Sequence, residues 1–135
     1  LIEDFFLDFK DGEVVAYGAK KEQDTLKYLL EMDEGSKRLG EVALISHDSP
    51  ISNLNILFYN TLFDENASCH LALGNAYTMN IEQGNELPEE ELIKQGYNKS
   101  MVHVDFMFGS HDMEIDGVTE KGELVPVFRK GNFVF

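Results

Sequence analysis

Residues 101–108 (MVHVDFMF) constrain the fold more than any other part of this sequence. A short run so rich in Val, Phe and Met is suited to a strand. Successive strand side chains point to opposite faces, which puts Val102, Val104, Phe106 and Phe108 on one face, suited to a core. His103 and Asp105 share the other face, with Cα atoms roughly 6–7 Å apart. An imidazole and a carboxylate at that spacing can reach one ion or two adjacent ions. The alternative is a plain His–Asp hydrogen bond on a sheet surface.

The rest of the chain offers partners for that strand. Residues 2–9 alternate, with Phe5, Leu7 and Phe9 on one face, and Asp11-Gly12 is a hairpin signal before a second strand at 13–17. Between 24 and 34 the period changes to a helical one through Leu26, Leu29 and Leu30, with Gly35 as the C-terminal stop. Residues 40–47 read as a short buried strand opened by Glu41, and 47–52 as a polar turn containing Pro50. Residues 54–63 fit helix and strand equally. Asn66 is a suitable N-cap for a helix over 67–73 ended by Gly74. Pro88 followed by three glutamates and ending at Gly96 is a surface helix, its acids at the favourable end of the dipole. Asp116-Gly117 signals a turn, and the apolar residues at 124–128 and 133–135 are closing strands. The expected fold is α+β: a strand-dominated mixed or antiparallel sheet with a few short helices, in a single domain over residues 1–135.

Composition narrows the partners. With 43% hydrophobic and 27% charged residues the chain is globular rather than disordered. A net charge of −14 excludes nucleic acid as an expected partner, since phosphate binding is driven by Lys and Arg, and it disfavours an anionic membrane surface. Metal cations and cationic or zwitterionic peptides are compatible with it. One cysteine allows no internal disulfide, which fits a cytoplasmic setting.

Residues 57–77 (LFYNTLFDENASCHLALGNAY) concentrate further reactive groups: Asp64, Glu65, Asn66, Cys69, His70 and Tyr77. Taken singly, His70 reads as a core histidine and Glu41 as a rim carboxylate. Cys69 and His70 are neighbours and on regular structure point apart, so a Cys–His nucleophilic pair would need another base. Taken together, two histidines and several carboxylates in apolar surroundings suit a hydrolytic divalent-metal site.

The blocks GEVAL (40–44), LFYNTLFDENASCHLALGNAY (57–77), HVDFMFGS (103–110) and PVFRKGNFVF (126–135) resemble the aminopeptidase T / aminopeptidase S family of metallopeptidases. The resemblance implies removal of N-terminal residues from peptides by a two-metal-activated water, in a cytoplasmic homodimer. It implies two divalent ions (Zn, Co, Mn or Mg) held by Glu41, His70, Tyr77, His103 and Asp105, and it names no catalytic acid or base. Glu65 is a candidate base or amine-binding acid by its chemistry alone. The family also uses a glutamate well upstream of its Gly-Glu-Val block, and nothing before Glu41 matches it. The resemblance therefore implies a C-terminal portion of a longer enzyme, inactive by itself. The competing expectation is a non-catalytic acidic interaction or dimerisation module whose histidines are structural.

Overall fold

The computed structural model describes residues 1–135. Its elements run β1 (Glu3–Lys10), β2 (Glu13–Lys21), α1 (Gln23–Leu30), a 3-10 helix (Glu34–Lys37), β3 (Leu39–Ala43), a 3-10 turn (Ser52–Leu54) and α2 (Thr61–Glu65). They continue with β4 (His70–Gly74), a 3-10 turn (Thr78–Asn80), α3 (Glu89–Lys94), β5 (His103–Met107), β6 (Ile115–Val118), β7 (Leu124–Arg129) and β8 (Asn132–Phe133). The strands form three small sheets, ordered β1–β2, β3–β4–β5 and β6–β7–β8. The α+β, strand-dominated expectation is met. No helix is long and apolar enough to cross a membrane. The backbone groups into two compact units, Leu1–Glu41 with Ala72–Val104, and Val42–Leu71 with Asp105–Phe135.

In the first unit, Asp11 and Gly12 take φ of 52° and 78°, the paired positive values that a two-residue hairpin turn requires. They join β1 to β2 in antiparallel register, Lys10 opposite Glu13. Helix α1 buries Leu26 and Leu30, one turn apart on a single stripe. It ends at Leu30, short of the expected 34, and Gly35 does not stop it. Gly35 lies instead inside the following 3-10 helix, where a Cβ would overlap the Lys99 carbonyl. A close backbone approach, not a helix end, fixes that glycine. Asp33 caps the 3-10 helix through the Ser36 N–H and hydroxyl, both 2.9 Å from its Oδ1. Helix α3 follows the expectation: Pro88 precedes it, three glutamates fill its first turn and Gly96 at φ 95° lies just beyond it.

In the second unit, β6, β7 and β8 are antiparallel, and Phe128 is fully buried with its ring edge-on to Phe133 at 4.3 Å. Two expectations fail here. Asp116 and Gly117 lie inside β6, where the Asp116 carboxylate pairs with the Arg129 guanidinium. The turn comes later, where Thr119 N–H donates to Glu123 C=O and Gly122 takes φ 79°. The helix expected at 67–73 is also displaced. Residues Thr61–Glu65 form α2, Asn66 is its C-cap rather than an N-cap, and His70–Gly74 is a strand. That strand is the middle one of its sheet and nearly all buried, so it shows a continuous apolar run rather than alternation. Short runs of that kind do not distinguish helix from strand.

β5 is a strand as expected but an edge one. Val102, Val104 and Phe106 are therefore only half-buried and Phe108 is exposed, instead of closing a core.

Candidate metal centre

The centre is built on β3 and β5, the two outer strands flanking β4, and the segment that follows β4. Glu41 occupies the middle of β3 and His103 the first position of β5. The His103 Nε2 lies 3.2 Å from Glu41 Oε2, with 26% and 24% of the two side chains exposed. The other ring nitrogen, Nδ1, is 2.7 Å from the main-chain oxygen of Asn75. A carbonyl oxygen can only accept, so Nδ1 carries the proton. In a neutral ring Nε2 is then a lone pair facing a carboxylate oxygen, two acceptors in contact. A shared cation or an added proton resolves that arrangement.

Asp105 follows two positions along β5, on the same side of the strand as His103. Glu41, His103 and Asp105 each offer one ligand atom, and the three atoms lie within 4.8 Å of one another. Three donors each about 2.0–2.2 Å from a common ion lie at most about 4.4 Å apart, so a modest side-chain adjustment would bring these three onto one ion. Two carboxylate oxygens and one imidazole nitrogen form a donor set that suits Zn, Co or Mn. The residues present fit a divalent ion.

His70 stands outside that set of three. It is buried in β4, and its Nδ1 is 2.9 Å from the Ser68 main-chain oxygen, which again makes Nδ1 the protonated nitrogen and Nε2 the basic one. Both histidines thus share one arrangement, Nδ1–H on a backbone carbonyl, the habit of metal-ligating imidazoles. Tyr77 is 48% exposed, and its ring centroid lies 5.4 Å from that of His103, tilted by 59°.

Asp64, Asn66 and Cys69, close to His70 in sequence, are held by local hydrogen bonds. The Asp64 carboxylate accepts from the Phe58 and Asn60 N–H groups at 2.8 and 3.0 Å, and Asn66 Nδ2 donates to Leu62 C=O at 2.8 Å. Glu65 closes α2 and is half-buried. Cys69 is 1% exposed, its sulfur accepting from the Ile45 N–H and donating to the Ile45 carbonyl, both at 3.2 Å. A thiol held this way is packing, not a nucleophile.

Sequence reasoning missed Asn75. Its main-chain oxygen orients His103, and a main-chain group leaves no side-chain signature to read. Gly40 and Gly74 make the approach possible. A Cβ on Gly40 would overlap the Gly74 and Asn75 carbonyls, and one on Gly74, at φ 98°, would overlap the Val102 carbonyl.

Comparison with known proteins agrees with this chemistry. The chain is 58% identical over its full length to Aminopeptidase 2 of Geobacillus stearothermophilus and 59% identical to Aminopeptidase AmpS of Bacillus subtilis (strain 168), covering 33% of each. It is 46% identical over 99% of its length to Aminopeptidase T of Thermus aquaticus, covering 32% of that protein. The solved structure of wild-type AmpT from Thermus thermophilus superposes with a TM-score of 0.89 at 45% identity, covering 99% of this chain and 32% of that one. The chain thus spans about a third of the length of the relatives it matches. The profile of the thermophilic metalloprotease (M29) family matches residues 1–133. The chain belongs to the thermophilic metalloprotease family M29.

Proposed function

We propose that these residues supply part of the active site of a two-metal aminopeptidase acting on peptides with a free N-terminus. The observation that carries the reading is the Glu41–His103 approach at 3.2 Å, with the imidazole proton already committed to Asn75. Glu41, His103 and Asp105 would hold one divalent ion between them, and His70 and Tyr77 would contribute to the pair of ions. Bound there, the ions would supply Lewis-acid polarisation of the scissile carbonyl and an activated water. The protein's own part is to present two carboxylates and two oriented imidazoles. The Asn75 and Ser68 carbonyls fix which nitrogen of each ring is basic before any ion arrives. A free substrate amine, being cationic, suits the strongly acidic chain. The active protein would be longer than these 135 residues, in line with the share of its relatives that they cover. A cytoplasmic homodimer is part of the same proposal.

The test is hydrolysis of a peptide with a free amino terminus against its N-acetylated twin, in the full-length protein. The expected result is turnover of the free peptide alone, lost on chelation and restored by Zn²⁺, Co²⁺ or Mn²⁺. Turnover that survives thorough chelation would sink the metal reading. Equal turnover of the acetylated peptide would sink the aminopeptidase reading. A non-catalytic module would show no turnover and no metal-dependent stability.

A further inference from the structure

We propose that Asp33 is a positioning residue for His103, setting the orientation and tautomer of its ring through Ser100, Met101 and Asn75. The proposal deepens the metal-site reading, and its tautomer readout stands independently of that reading.

Asp33 lies 70 positions upstream of His103 (103 − 33), yet its carboxylate fastens the segment that leads into β5. Its Oδ2 accepts the Met101 N–H at 2.6 Å, and its Oδ1 accepts the Ser100 hydroxyl at 2.8 Å. Met101 is two residues ahead of His103. The Ser100 hydroxyl oxygen in turn accepts the Val102 N–H at 3.2 Å, so residues 100–102 are all tied to this one carboxylate, directly or through Ser100.

The same segment grips Asn75. Ser100 N–H donates to Asn75 Oδ1 at 3.2 Å, and the Tyr97 hydroxyl donates to that same oxygen at 3.1 Å. Asn75 N–H donates to the Val102 carbonyl at 2.7 Å. Asn98 adds a brace, its Nδ2 donating to the Gly35 and Gly74 carbonyls at 2.9 and 2.6 Å. Both ends of the His103 Nδ1–H···O=C Asn75 bond therefore hang on elements that Asp33 and its 3-10 helix hold in place.

A simple capping role accounts for only half of the carboxylate's contacts, the two to Ser36. The contacts to Ser100 and Met101 serve no cap. They fix the path of the chain immediately before a ligand histidine, the kind of outer support that orients metal-binding imidazoles.

The experiment compares full-length wild type, Asp33→Ala, Asp33→Asn and Ser36→Ala. The first readout is the pair of imidazole 15N shifts of His103 in metal-stripped protein. The second is Co²⁺ affinity from its d–d absorption. Wild type is expected to show the Nδ1–H tautomer. Asp33→Ala is expected to mix the tautomers and weaken Co²⁺ binding by about 10–100-fold, the usual effect of losing outer support. Ser36→Ala, which disturbs the cap and leaves the Met101 contact, is expected to keep both. Should Asp33→Ala not fold, Asp33→Asn carries the test, because its amide sets an N–H against the Met101 N–H while still offering Ser100 an acceptor. A folded Asp33 variant with wild-type tautomer and wild-type Co²⁺ affinity would overturn the proposal. A wild type that binds no Co²⁺ would instead refute the metal-site reading, and the 15N shifts would still decide the role of Asp33.

Discussion

Glu41→Gln should change sign in its effect on stability when metal is added. In the metal-free protein Glu41 and Asp105 place carboxylate oxygens no more than 4.8 Å apart. Their repulsion at that distance is about 3.5 kcal/mol at an effective dielectric of about 20, and about 0.9 kcal/mol in bulk water. About a quarter of the Glu41 side chain is exposed, so the real value lies between. Glutamine removes the repulsion at nearly constant volume but also changes the contact with His103 Nε2 at 3.2 Å. A net gain of about 1 kcal/mol in the metal-free protein is expected. With metal at about a hundred times its dissociation constant, wild type should gain about 2.7 kcal/mol by linkage. The variant, short of one anionic ligand, should gain far less. Urea unfolding of both proteins, chelated and with added Co²⁺, measures this as a crossing of midpoints: variant above wild type without metal, below it with metal. A variant that is less stable without metal and gains as much as wild type with it would refute the reasoning. The two acids would then be held by something other than their shared ion.

Asp33 makes stability sensitive to acid. Its carboxyl is held below the usual carboxylate range, chiefly by the Met101 N–H and also by Ser100 and Ser36. A depressed carboxyl stabilises the fold above its unfolded value, and that contribution is lost as pH falls through the folded one, so wild type should weaken below about pH 4. Asp33→Asn should be less stable at neutral pH and show a flatter acid limb in thermal melts across pH 2–7. Phe128→Ala should cost about 3–5 kcal/mol, since it empties a fully buried site and removes a ring contact with Phe133, and a midpoint shift at unchanged denaturant slope would check it. Gly74→Ala should cost about 1–3 kcal/mol for its backbone conformation alone. It should cost more because the new methyl displaces the Val102 carbonyl beside His103, and Co²⁺ affinity should fall with it.

Much of the first-unit architecture could be read from residue order. The Asp11-Gly12 hairpin, the Leu26/Leu30 stripe and the Pro88 helix are local devices, each fixed by residues within a few positions of one another. The misreadings share a different cause. Gly35 and Gly74 look like helix stops, yet each is glycine because a distant carbonyl passes too close for a side chain. Asn66 looks like the start of a helix because an interior strand and a short buried helix carry the same uninterrupted apolar run. At the candidate site, the alternation of residues 101–108 was enough to put His103 and Asp105 on one side of a strand. Glu41 joins them across the sheet, a pairing that spacing alone could not supply and that the family blocks suggested. The carbonyl of Asn75 and the reach of Asp33 were invisible, one being main chain and the other a contact across 68 positions (101 − 33).

Cys69 gives the protein a built-in clock. It is the only thiol in these 135 residues, and both a sulfur lone pair and its proton are engaged by the main chain of Ile45. A thiol reagent can reach the sulfur only after that contact parts, so the labelling rate reports how often this one place opens and at what free energy. His70 is the adjacent residue. A cation that grips His70 should slow the clock, and one that binds elsewhere should leave it running at its own rate, which makes a single natural cysteine a reporter on which strand the metal stiffens.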